Sequence, residues 1–152
     1  MNGIDLVAIQ DEIALHIETS FPQYEVKEDE VLDDEYLMRI DRKTKPFVVI
    51  RWSGLTREVA NASFAGVRHD EYSSRFDIIA VAPAPRIARK VLNLFMDQLI
   101  GWKISNGAAL TPTLGQTVFP VTDRNGSPHL YLGIGTLGFR FNSENPDSYI
   151  GS

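Results

Sequence analysis

Arg75-Phe-Asp-Ile-Ile-Ala-Val-Ala-Pro-Ala-Pro-Arg-Ile-Ala-Arg-Lys-Val-Leu-Asn-Leu-Phe-Met-Asp-Gln-Leu-Ile-Gly-Trp102 is the stretch that decides the fold. Phe76 to Ala82 is apolar on both pleat faces, with Phe76, Ile78 and Ala80 on one and Ile79 and Val81 on the other, which predicts a central strand. Pro85 suits the first helical position, where its missing N–H costs nothing. From Arg86 to Ile100, the residues Ile87, Val91, Leu94, Phe95 and Leu99 predict the buried stripe of an amphipathic helix, with Arg86, Arg89 and Lys90 outside. Gly101 supplies a left-handed stop. A strand running straight into such a helix buries surface on both elements and anchors a layered domain. None of its residues forms a reactive constellation.

Working outward, Asp5 to Ser20 carries Leu6, Ile9, Ile13 and Ile17 at three- and four-residue steps, one face of a helix that Phe21-Pro22 ends. Tyr24 to Val26 fits a short strand. Pro46 to Trp52 is β-branched and aromatic and reads as a strand, broken by Ser53-Gly54. Leu110 to Phe119 reads as an irregular strand, Asp123-Arg124-Asn125-Gly126 as a turn, and Leu130 to Ile134 and Leu137 to Phe141 as two short strands. Gly133, Gly135 and Gly138 mark bends or close backbone approach. This order shows one strand-helix-strand crossover, too few for a doubly wound parallel sheet. It predicts an α+β layer: a mostly antiparallel sheet of four or five strands with two helices on one face. Residues 1–142 then form one domain, and 143–152 a polar tail.

Two stretches lack a period. Residues 28–45 form a charged loop, in which Glu28, Asp29, Glu30, Asp33, Asp34 and Glu35 precede Arg39, Arg42, Lys43 and Lys45. Like charges so close predict a solvated, mobile segment, and the sign reversal could fold one half against the other or against a neighbouring subunit. Residues 53–74 exceed the usual length of a connection, yet Leu55, Val59, Phe64, Val67 and Tyr72 make them too apolar for a linker. An arm or flap that packs on something is the expectation.

The 152 residues suit one domain, and 43% hydrophobic with 23% charged residues are ordinary globular values. No cysteine is present, which removes disulfides, thiolate zinc sites and cysteine nucleophiles. No apolar run spans a bilayer and no basic, apolar leader opens the chain, so an intracellular compartment, or a particle built in one, is the expected home. The net charge of −5 argues against general attraction to nucleic acid.

Chemical motifs are sparse. His69-Asp70-Glu71 is the best metal-like cluster, but adjacent residues of an extended chain point to opposite faces, so a solvated loop is the better reading. His16 fits a packed or half-exposed position on its helix, and His129 has no partner nearby in sequence. Gly133-x-Gly135-x-x-Gly138 matches a dinucleotide-loop spacing but leads into the strand-like Phe-Arg-Phe-Asn, not a helix. Asp123 to Ser127 begins like a calcium loop without its closing glutamate. The expectation is no catalytic, cofactor or metal residue.

The proline-led Pro46-Phe47-Val48-Val49-Ile50-Arg51 after a leading helix carries a resemblance, together with Ala65-Gly66-Val67-Arg68-His69-Asp70-Glu71-Tyr72, the Phe76 to Ala82 strand, the helix end Met96-Asp97-Gln98-Leu99-Ile100-Gly101-Trp102, and a block from Pro128-His129-Leu130-Tyr131 to Phe139-Arg140-Phe141. In order and size this arrangement resembles the tail terminator proteins of long-tailed, siphovirus-type bacteriophages, especially phages of actinobacteria. The resemblance implies an α+β subunit of a ring, a homohexamer, that caps the head-proximal end of the tail tube in the virion. Its partners would be itself, the tail tube protein and the head-completion or connector protein. Genome DNA would pass through the channel without specific binding, and assembly would take place in the host cytoplasm.

Physical expectations agree. A ring of identical subunits needs a heterologous contact that closes, usually burying about 800 Å² per partner. The 53–74 arm could supply that area, with Phe64, Val67 and Tyr72 as anchors and Arg51 and Arg68 beside them. Six copies at −5 each would carry −30, enough to repel phosphate from a channel wall. Glu28 to Glu35 are expected on that wall or on the tube rim. The alternatives are a head-tail connector adaptor ring, a small metal-dependent hydrolase built on His69, Asp70 and Glu71, and a monomeric binding module of a cellular regulator.

Overall fold

A computed structural model of the chain describes residues 5–40, 45–59, 70–105 and 108–143. Its elements are α1 (Leu6–Ser20), β1 (Glu25–Glu28), α2 (Asp34–Arg39), β2 (Phe47–Val59), β3 (Asp70–Ala82), α3 (Pro85–Leu99), β4 (Thr111–Thr122) and β5 (Pro128–Ser143). The strands form one sheet in the order β1-β2-β3-β5-β4. β1 runs parallel to β2, and the other neighbouring pairs are antiparallel. The α+β class is therefore as expected, with five strands and two helices, α1 and α3, on one face. The additional short helix α2 lies on the other.

Chain handedness accounts for that split. β1-α2-β2 is a parallel crossover, and so is β3-α3-β4, with antiparallel β5 inserted between its strands. Both crossovers step in the same direction across the sheet. β1 and β3 point in opposite directions, because β1 is parallel to β2 and β2 antiparallel to β3. Two right-handed crossovers under those conditions must put their helices on opposite faces.

The side chains follow. The larger core joins Ile9, Ile13 and Ile17 of α1 and Val91, Phe95, Met96 and Leu99 of α3 to Val48, Ile50, Phe76, Ile78, Leu137 and Phe139 of the sheet. The smaller core packs Leu37 of α2 on Phe47, Val49, Ile79, Val81 and Leu132. Period-two alternation of the strands supplies both faces. In α3 the buried stripe is Ala88, Val91, Leu92, Phe95, Met96 and Leu99. Ile87, expected inside, is 39% exposed, because the apolar stripe centres one residue further round the helix. Asp5 caps α1 by accepting from the amides of Val7 and Ala8 at 3.1 Å each.

Three expectations are corrected. Ser53-Gly54 does not end a strand: β2 continues through a bulge at which Trp52 faces Phe76 and Gly54 faces Arg75, leaving Ser53 unpaired. The extra residue swaps the inward set from even to odd positions, so Leu55 rejoins the larger core opposite Ser74. The described parts of the 53–74 arm, 53–59 and 70–74, are thus the distal half of a hairpin of two 13-residue strands. The two short strands at 130–134 and 137–141 are one, β5. Its glycines serve close approach rather than bending: a Cβ on Gly135 would lie 2.7 Å from Met96 Sδ. Finally, the charged loop 28–45 contains regular structure: Glu28 ends β1, and Asp34–Arg39 form α2.

Candidate functional site

The sequence-predicted residues separate on folding. Arg51 reaches across the α2 face of the sheet to Asp77, with Nη2 2.9 Å from Oδ2. The Thr136 hydroxyl donates to Asp77 Oδ1 at 2.8 Å, so three strands share one polar row. Arg51 remains half-exposed and Asp77 is nearly buried. Phe64, Val67 and Arg68 lie outside the described residues, as does His69. Tyr72 cannot anchor a neighbour: it is 1% exposed and stacks on Phe141 at 5.3 Å between ring centres, inside the larger core. Asp70 and Glu71 pair through the backbone with Val59 and Glu58 as ordinary strand residues.

β1 ends where it does for a local reason. The Ile50 carbonyl accepts the Asp29 amide at 2.9 Å and the side-chain amide of Gln10, which is 5% exposed, at 3.2 Å. Asp29 then turns away at φ 57°. Beyond Ile50, β2 runs nine further residues past its last β1 partner, leaving the outer backbone edge of Arg51–Val59 without a strand beside it among the described residues. Gln10 was not legible as a site residue, since a lone glutamine on an apolar helix face reads as a break in pattern. Trp52 stands at this edge, 43% exposed, donating from Nε1 to Ser74 Oγ at 3.0 Å.

The acidic segment is partly consumed by structure. Asp33 caps α2 by accepting the Tyr36 amide at 2.7 Å, and Glu35 pairs with Arg39 one turn on. Lys27 ties α2 to the sheet: its ammonium donates to the Tyr36 hydroxyl at 3.1 Å and lies 4.9 Å from the Phe47 ring centre. That hydrogen bond raises the lysine above its ordinary pKa. Glu28 is pushed up to about 7, first by desolvation, then by a hydrogen bond to Asp11 of α1 and by the charges of Asp11, Asp29 and Glu18. What remains outward is Val31, 70% exposed, on the lip of an acidic depression of about 420 Å³ that Asp29, Glu30, Asp33 and Glu35 help to line.

On the other face, α3 presents Arg86, Arg89, Lys90 and Asn93 around a second depression of about 370 Å³, to which Leu94 and Asp97 also contribute. None of the three cations has an ion-pair partner within 4.0 Å among the described residues. His16 of α1 stacks on Trp102 at 4.0 Å and 7°, and burial there lowers its pKa despite a hydrogen bond to Gln98. His129 Nε2 donates to the Ile40 carbonyl at 2.8 Å, fixing the end of α2.

Among the described residues no three His, Asp or Glu side chains converge as a metal site would require, and no helix is long and apolar enough to cross a membrane. No family model matches the chain, and no curated protein matches its sequence.

Proposed function

We propose that this chain is a structural ring subunit of the tail-neck region of a long-tailed bacteriophage, a homohexamer that caps the head-proximal end of the tail tube and joins it to the head-completion or connector complex. The observation that carries this reading is the inequality of the two sheet edges. On one side β2 extends beyond the short β1, and from Arg51 onward its outer backbone edge has no strand beside it among the described residues. On the other side lies β4, interrupted by Pro112 and Pro120 and by register shifts against β5. Two unlike flanks favour a contact between different surfaces of successive copies, the kind that closes into rings. The fold class that the resemblance implies supports the same assignment. The acidic net charge suits a channel through which DNA slides without sticking.

Electron microscopy of purified tail tubes mixed with the protein tests the role. Added density at one tip of each tube is expected. Uniform coating of the tube wall or no binding would contradict the proposal, and preferential binding to filled heads would move the ring to the connector position.

A further inference from the structure

The ring reading leaves open which surfaces meet, and the structure offers a complementary pair. The α3 face is cationic: Arg86, Arg89 and Lys90 occupy one stripe, exposed and unpaired within the described residues, around a depression that half-buried Leu94 lines. The segment between β1 and α2 is its counterpart, with exposed Val31 beside the carboxylates of Asp29 and Glu30, while Asp33 is engaged in capping α2 and Glu35 in pairing with Arg39 at the same depression. Charge matches charge, and an apolar side chain surrounded by acids meets a partly apolar hollow rimmed by bases. Within one chain the two cannot touch, since α3 packs on one face of the sheet and the acidic segment continues into α2 on the other.

Resting on the proposed ring, we propose that the acidic Val31 segment of each copy docks into the α3 depression of the next, between Arg86, Lys90 and Leu94. The occupant is a second copy of this chain. Three cations accompanied by an aspartate at the same hollow fit a short acidic segment with one exposed valine better than a continuous phosphate backbone. The contact is head-to-tail, because neither surface complements itself.

The natural chain has no cysteine, so disulfide trapping reads the contact directly. A V31C/N93C double variant, oxidised under assembly conditions with tail tubes present, is expected to give a ladder of linked chains on a non-reducing denaturing gel. V31C or N93C alone should give background dimer only. Adding R86E/R89E/K90E to the double variant should reduce the ladder at least about tenfold, and adding D29K/E30K on top of that should restore it. Circular dichroism establishes that each variant is folded.

A ladder absent from a folded double variant overturns the proposal, as does a ladder that survives the triple reversal. Loss of DNA retention by the triple variant with an undiminished ladder would assign the patch to nucleic acid instead. Tip capping is scored separately on the same samples. Capped tubes without a ladder sink this contact alone, whereas a ladder with bare tubes sinks the terminator role alone.

Discussion

Glu28 has a carboxyl pushed up to about 7, so folding favours its protonated form. The unfolded chain releases that proton near the ordinary carboxyl value of about 4.3, so the stabilisation is complete below that pH and is lost as pH rises toward the folded value. Glu28→Gln should therefore be neutral near pH 4 and stabilising at pH 8, by under about 1 kcal/mol because the side chain is well exposed. Thermal melts at the two pH values check it, and an equal gain at both would contradict it. Asp77 works differently, as the acceptor shared by Arg51 and Thr136. Asp77→Ala leaves a nearly buried Thr136 hydroxyl without its acceptor and should cost about 1–3 kcal/mol in urea unfolding, while Asp77→Asn, keeping an oxygen toward Thr136, should cost less. Both residues show where sequence reading stops. The charges were visible, but Asp11 lies beside Glu28, and Asp77 beside Thr136, only through tertiary pairing.

The α3–β5 packing makes the same point for elements. Helix and strand were legible because a 3.6-residue period stands out in Pro85–Leu99 and a short, mostly continuous apolar run, stopped by Pro83, stands out in Phe76 to Ala82. Their contact was not, because it depends on Gly133 and Gly135 letting the helix approach the sheet, and a glycine without its neighbour reads equally as a bend. Gly135→Ala would place a methyl group 2.7 Å from Met96 Sδ and should cost about 1–3 kcal/mol. Gly115→Ala, with nothing within 4 Å of the new methyl, should cost under about 0.5 kcal/mol. Urea titrations of the two variants side by side check the contrast, and equal costs would mean that α3 does not need β5 bare. The distal half of β2 was hidden for a related reason. One extra residue at Ser53 switches which positions face inward, so neither parity stays apolar from Phe47 to Val59, and the period breaks at the bulge.

At the scale of the whole molecule, opposite crossovers put the basic helix and the acidic segment on different faces, and the proposed contact between copies uses that separation. If the acidic segment of one copy seats on α3 of the next, each chain has one donor surface and one acceptor surface. R86E/R89E/K90E keeps the donor and loses the acceptor; D29K/E30K does the reverse. Under conditions in which the natural chain assembles, each variant alone should stay near 17.0 kDa by light scattering. Mixed, the intact donor of one should meet the intact acceptor of the other and form a pair. The other two surfaces of that pair now carry reversed charges, and those charges also complement each other. A fraction of the mixture should therefore extend into alternating rings as ionic strength falls, and raising the salt should remove rings and pairs together. A self-complementary contact behaves otherwise, since a surface that pairs with its own copy loses or keeps association in each variant separately and gains nothing from mixing. Mixtures that remain at the single-chain mass at every ionic strength would therefore exclude the head-to-tail arrangement.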